Sequence, residues 1–310
     1  MTSKILAQSA TAPNSGTPVP LRQEAPATRL MKIAGGGHVA YDDTENDGPL
    51  ILAIPGMGDL RSEYRRLRPA LLRAGYRVVT MDVRGFGETS ADWDDYSAHA
   101  VGRDALALIA HLGADSAIVL GNSFAAGAAL WAAHDAPARV SAVGLLGPIV
   151  RDIEVPWYAA LALKAGFAGP WRVGFWMAYW NTLFPLGKAP DHAEVKAAIR
   201  RNLQEPGRMD ALRTMLTISK KDTEAILARS RVRALIVMGT ADPDFKDASK
   251  EAGWLATQLK ADTMLVDGAG HYPHVEAAEE VASRLDAFVK VGEKPVRRTT
   301  RVTSLLQARG

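Results

Sequence analysis

Residues 116–127 read SAIVLGNSFAAG: an apolar run, then Gly121-Asn122-Ser123, then the small residues that open the stretch AALWAAHDAP. An apolar strand that meets glycine and serine and passes into helix-forming alanines describes a sharp strand-to-helix turn. Such a turn would lift the Ser123 hydroxyl above a sheet. It would also leave the Phe124 amide at a helix N-terminus, where N–H dipoles favour a developing negative charge. Ala125 stands where the pattern G-x-S-x-G has its last glycine. On this stretch alone, Ser123 is either a nucleophile or a small residue at a helix N-cap.

Working outward, the same strand-then-helix rhythm repeats. VAYDD (39–43), PLILAIPG (49–56), YRVVTMDVRG (76–85), RVSAVGLLGPI (139–149), RALIVMGT (233–240) and ADTMLVDGA (261–269) read as strands. Between them, SEYRRLRPALLRAG (62–75) and HAVGRDALALIAHLG (99–113) have helical spacing and stop at glycine, and AEEVASRLDAFVKV (278–291) closes the pattern. Continuous apolar strands alternating with helices predict an α/β fold: a mostly parallel, doubly wound sheet with helices on both faces. The rhythm breaks between 151 and 225, where strand signals vanish and aromatic helical sequence takes over. The domain reading is therefore a core of 31–150 and 226–290, an inserted helical cap at 151–225, a flexible tail at 1–30 and a basic tail at 291–310.

In open parallel sheets, ligands bind at the carboxyl ends of strands. Ser123 follows IVL, Asp242 follows LIVMGT, and His271 follows MLVDGAG, in the chain order Ser, Asp, His. That order resembles the α/β-hydrolase superfamily. Further segments strengthen the resemblance: PGMG (55–58) is similar to the family's oxyanion loop, and MDVRGFGETS (81–90) to its D-x-R-G-x-G-x-S segment. GTADPD and GHYPHVEAAEEVASRLDAFV resemble its acid turn and its histidine loop with the last helix. The resemblance covers roughly 31–290. It implies a serine hydrolase with Ser123 as nucleophile, His271 as base and then acid, and Asp242 as the carboxylate that orients the imidazole. The backbone amides of Phe124 and, by position in the family, Met57 would bind the oxyanion, and no cofactor is required.

The residue types suit that chemistry. A serine hydroxyl is a weak nucleophile at neutral pH and needs a base within hydrogen-bond reach. Imidazole, with an unperturbed pKa near 6.5, takes the proton and returns it. A carboxylate fixes the tautomer and stabilises the imidazolium. Asp244 shares a loop with Asp242 and is its nearest rival, and Asp152, after the GLLGPIV strand, is another. His38, His99, His111, His134 and His192 read as structural or solvated, and His274 as a local packing or hydrogen-bonding residue. Asp82 and Arg84 are expected to knit their loop together.

Two positions depart from the family pattern. Pro55-Gly56 replaces the frequent His-Gly, which leaves a backbone donor intact. Ala125 adds one methyl where the helix packs closely on neighbouring strands. Dehalogenases and epoxide hydrolases of this fold place Asp at the nucleophile, and Ser123 argues against both.

The inserted segment carries Trp157, Tyr158, Trp171, Phe175, Trp176, Tyr179, Trp180 and Phe184. Trp171/Phe175 and Trp176/Trp180, each four apart, are placed to pack a lid onto the body. Gly56, Trp157, Trp176 and Trp180 are candidates for the substrate pocket, which would then take an apolar partner. The expected activity is cleavage of a small to medium apolar ester or related acyl compound through an acyl-enzyme. The same triad also serves carbon–carbon bond hydrolysis and cofactor-free perhydrolysis. A non-catalytic small-molecule receptor on the hydrolase fold is the alternative of another class.

Composition and charge bound the rest. The chain has 310 residues, 47% hydrophobic and 23% charged, the balance of an ordinary globular protein. It has no cysteine, which excludes disulfides, thiolate metal sites and cysteine nucleophiles and fits a reducing cytoplasm. No motif with metal-ligand spacing is present. The net charge of +3 divides into +2 for residues 1–30 and +4 for 291–310, leaving −3 for the body. The positive charge sits in the tails, so the folded part has no evident face for nucleic acid. The first residues lack the apolar core of a secretory signal, and no run is long enough to span a membrane. Oligomeric state is not legible.

Overall fold

The computed structural model describes residues 26–153 and 157–292; the expected tails lie largely outside these. An eight-stranded sheet runs β1 (Arg29–Lys32), β2 (His38–Asp43), β3 (Leu50–Ile54), β4 (Arg77–Met81), β5 (Ala117–Asn122), β6 (Val140–Leu146), β7 (Arg233–Gly239) and β8 (Asp262–Val266). The spatial order is β1-β2-β4-β3-β5-β6-β7-β8. From β4 to β8 every pairing is parallel, while β1 with β2 and β2 with β4 are antiparallel. The expected parallel α/β sheet is present.

Strands β3 and β5 are buried at every residue because helices cover both faces. One face is packed by α1 (Leu67–Arg73) and the closing α11 (Ala278–Gly292), through Leu67, Leu71, Val281, Leu285 and Phe288. The other takes α2 (Ala98–His111), α3 (Ala125–Asp135) and, further along the chain, α9 (Ala248–Leu259). Among the described residues, five helices separate β6 from β7: α4 (Trp157–Ala168), α5 (Arg172–Trp180), α6 (His192–Leu203), α7 (Arg208–Thr217) and α8 (Lys221–Leu227). A four-residue helix, α10 (Pro273–Glu276), precedes α11.

Three local readings change. Strand β1 begins at Arg29, two residues inside the expected tail; only Met31 of RLMK is buried, too little pattern for a strand to be seen. The helix expected at 62–75 is a 3₁₀ turn over Arg61–Arg65 followed by α1. That break puts Pro69 in the first turn of α1, where its missing N–H costs nothing. Helix α9 had no counterpart in the sequence reading. Asp247 caps it by accepting the Lys250 N–H at 2.9 Å, and Ala248, Ala252, Leu255 and Leu259 form its buried stripe.

The chain leaves β3 for β4 on one side and returns to β5 on the other, so the strand order switches between β3 and β5. Ile54 pairs with Gly121 at the carboxyl end of these strands. The loops that follow, carrying Gly56 and Ser123, therefore meet at the switch point.

Candidate active site

Ser123 sits between the end of β5 and the start of α3 with φ +56. Of the described non-glycine residues with positive φ, the other two, Glu45 and Lys260, are exposed, whereas Ser123 is buried. A left-handed backbone at a residue with a Cβ costs about 1–3 kcal/mol and persists only where its surroundings hold it. Here the Ser123 N–H donates to the Leu146 carbonyl at 2.9 Å, and its own carbonyl accepts from Ala126 and Ile149 at 3.1 Å each. The tight contact of the turn falls at Gly121: a Cβ there would lie 2.1 Å from the Ala125 carbonyl oxygen. Ala125 itself is fully buried without such a conflict.

The loop after β3 lies over this turn. A Cβ on Gly56 would stand 3.4 Å from the Ser123 Cβ and 2.8 Å from Oδ1 of Asn122. Gly58, with φ +76, faces the Trp176 ring at 2.9 Å from its would-be Cβ. Neither the Met57 nor the Phe124 amide is taken by an acceptor among the described residues.

His271 follows β8. Its Nδ1 is 2.8 Å from Oδ2 of Asp242, and both side chains are buried. Asp244 Oδ2 reaches the same nitrogen at 3.4 Å, while its Oδ1 accepts the Tyr179 hydroxyl from α5 at 2.5 Å. Burial alone would lower the His271 pKa; the two carboxylates outweigh it and raise the pKa to about 9. Asp152 lies elsewhere, accepting from Ser219 Oγ and the Lys220 amide at 2.7 Å each.

Sequence reasoning passed over several residues that assemble this region. Asn122 spends its Nδ2 on the carbonyls of Leu146, at 2.9 Å, and His271, at 3.1 Å, and so ties the serine turn to the histidine loop. Glu276 accepts the Gly270 amide at 2.6 Å with one oxygen and those of Leu186 and Gly187 with the other, and the His271 N–H donates to Leu183. His274 packs and hydrogen-bonds as expected, but its partner is far off in the chain: its Nε2 is 2.8 Å from Oε1 of Glu63, with both residues buried. Glu63 in turn accepts the Gly56 N–H at 2.9 Å through Oε2. Asp59, pushed up to about 6 by burial and by neighbouring Glu63, accepts from Trp180 Nε1 at 3.1 Å. Long-range pairs of this kind leave no trace in spacing along a chain.

The inserted aromatics mostly pack. Trp180, 2% exposed, stacks on His192 and meets Phe184 edge-on, and Phe184 stacks on Tyr272. Trp176 is buried against the Gly58 loop and Tyr179. Trp157 is 79% exposed, with its ring edge-on to Tyr158. Helix α4 is apolar nearly all round, so its sequence did not say which side faces inward. Asp82 knits its loop by accepting the Glu88 amide at 3.0 Å and also takes the Arg61 amide at 2.7 Å, whereas Arg84 ties the loop outward, forking onto Asp104 of α2.

A family model described as alpha/beta hydrolase fold matches residues 49–278. The chain belongs to the α/β-hydrolase fold family. Among its relatives, an epoxide hydrolase A of Mycobacterium tuberculosis is 25% identical over 86% of this chain and 98% of that protein. Lipase 1 of Psychrobacter immobilis is 25% identical over 86% of this chain and 84% of its own length. In solved structures, a bromoperoxidase from Bacillus anthracis superposes with a TM-score of 0.73 at 20% identity, covering 85% of this chain and all of that one. A thermophilic esterase from Thermogutta terrifontis gives 0.70 at 20% identity, over 86% of this chain and 99% of its own. This α/β hydrolase has no helix among the described residues that is long and apolar enough to cross a membrane.

Proposed function

We propose that this α/β hydrolase is a serine hydrolase that cleaves a small to medium apolar ester through an acyl-enzyme. Ser123 attacks the acyl carbonyl. His271 takes the hydroxyl proton, returns it to the leaving alkoxide, and then activates the water that releases the acid. Asp242 holds the Nδ1–H tautomer, which leaves Nε2 unprotonated to serve as the base. The amides of Met57 and Phe124 receive the oxyanion, and the helices of 151–225 act as a cap that excludes water.

The observation that carries this reading is the buried 2.8 Å contact of Asp242 with His271, in a loop joined through Asn122 to the strained Ser123 turn. Relatives named epoxide hydrolase raise a different chemistry, but an aspartate is needed at position 123 for it, and serine stands there. The deciding experiment is labelling with a fluorophosphonate, followed by p-nitrophenyl esters of graded chain length against wild type and Ser123→Ala. An adduct on Ser123, and turnover lost in Ser123→Ala, are expected. Folded protein that takes no adduct there rules the reading out.

A further inference from the structure

Two buried ionisable side chains beneath the Pro55–Gly58 loop have no part in the steps above. Glu63 and His274 have side chains 1% and 0% exposed, with Oε1 of the carboxyl 2.8 Å from Nε2 of the imidazole. They are 211 residues apart. Their contact therefore joins the loop after β3, through Gly56 N–H to Glu63 Oε2, to the loop that carries His271. Asp59 makes a second link between the same loops: its N–H returns to the Gly56 carbonyl, and its carboxylate accepts from Trp180 and Tyr272. Tyr64 stacks against His274 at 5.1 Å and donates its hydroxyl to Ile54.

No cation pairs with Glu63 among the described residues. The groups that face it are Asp59 from its own loop, Tyr64 beside it, and His271 and His274 from the opposite loop, with Arg65 acting through space. An ionised carboxylate would be costly to bury here. It would also oppose the negative charge that the neighbouring amides must receive. Burial accordingly pushes the Glu63 carboxyl up and the His274 imidazole down. One proton meets both needs: the Glu63 O–H donates to Nε2 of a neutral imidazole, and the other carboxyl oxygen keeps the Gly56 N–H. Nδ1 of His274 is left buried without a partner among the described residues. A polar atom kept there costs about 1–3 kcal/mol, which an apolar side chain would avoid.

We propose that Glu63 and His274 form a neutral hydrogen-bonded pair that holds the Gly56–Met57 loop in register with the His271 loop, making Glu63 a positioning residue for the oxyanion donors. The inference rests on the serine-hydrolase reading of Ser123. Glutamine can accept from Gly56 and donate to His274, so Glu63→Gln is expected to keep kcat within about threefold of wild type. Glu63→Ala frees the loop, and kcat should fall by about ten- to a hundredfold with little change in KM.

Infrared spectra at pH 7 should contain a carboxylic-acid C=O band in folded wild type that is missing in Glu63→Gln. Glu63→Gln as damaging as Glu63→Ala, Glu63→Ala without effect on kcat, or no such band each overturns the pair. Should Glu63→Ala fail to fold, His274→Gln against His274→Leu makes the same comparison, with only leucine expected to lower kcat. Fluorophosphonate labelling separates the two readings. A slow variant that still labels Ser123 supports positioning, whereas wild type that does not label overturns the serine mechanism, and the infrared band reports on the pair regardless.

Discussion

Oδ2 of Asp242 lies 2.8 Å from Nδ1 of His271, and Oδ2 of Asp244, two residues on, lies 3.4 Å from the same nitrogen. The difference has a cause. Asp244 has its other oxygen engaged by Tyr179 at 2.5 Å, while Asp242 is the more deeply buried and is steadied by the Asp244 amide at 3.0 Å. Replacing Asp242 by Asn presents the wrong partner to Nδ1–H, and kcat is expected to fall by about 10³–10⁴. Asp244→Asn should cost less than about tenfold, because the shorter contact survives. The double variant should fall below Asp242→Asn alone, since Asp244 then no longer stands in. Steady-state turnover of a p-nitrophenyl ester measures all three, and a crippled Asp244→Asn with an active Asp242→Asn reverses the assignment.

The same two carboxylates set the pH response. Burial would lower the His271 pKa, and Asp242 and Asp244 together raise it to about 9. A general base acts only when unprotonated, so kcat/KM should climb with pH and level off above about 9. The stability contribution has the opposite course. A pKa raised above its unfolded value, near 6.5, gives stability that is complete below that value and is lost as pH rises through about 9. Asp244→Asn removes one of the charges that raise the His271 pKa, so the ascending limb of kcat/KM should move to lower pH. A limb that does not move shows that Asp244 is electrostatically silent.

The core strands were legible because helices bury them on both faces, leaving uninterrupted runs such as LILAI and AIVLGN. Ser123, Asp242 and His271 could be singled out because each follows the carboxyl end of a strand, and strand ends can be counted along a chain. What escaped was whatever depends on partners far away in sequence. Glu63 looks like one more charged residue in RSEYRR, yet it is buried against His274. Asn122 is the free position of G-x-S, yet it bridges Leu146 and His271. The inward side of α4 could not be read, because its residues have little polar contrast from which to choose a side.

The serine turn separates two small residues that a motif treats alike. Ala125 begins α3 and is wholly buried without a clash, so Ala125→Gly should cost about 0.5–1 kcal/mol in helix stability and leave turnover largely intact. Gly121→Ala drives a Cβ to 2.1 Å from the Ala125 carbonyl, backbone that cannot swing away. It should lower the melting temperature far more and abolish activity with it. Paired thermal melts and ester assays test this, and a Gly121→Ala protein as stable as wild type defeats the argument.

Trp176 meets the body beside the proposed oxyanion donor Met57. Its ring covers the Gly58 loop, and its indole nitrogen is buried with no hydrogen-bond partner among the described residues. An unmet buried donor costs about 1–3 kcal/mol, so Trp176→Phe, which keeps an aromatic ring and deletes the N–H, should be neutral or stabilising. Trp176→Ala removes the ring itself. If the ring limits the room beside Met57, specificity should shift toward longer acyl chains, read as the ratio of kcat/KM for long over short p-nitrophenyl esters. If the ring only packs the inserted helices, Trp176→Ala should destabilise the fold by the usual cost of a large core truncation, about 3–5 kcal/mol, and leave that ratio unchanged. The ratio therefore decides between a pocket wall and a core residue, and the expected outcome is that it rises.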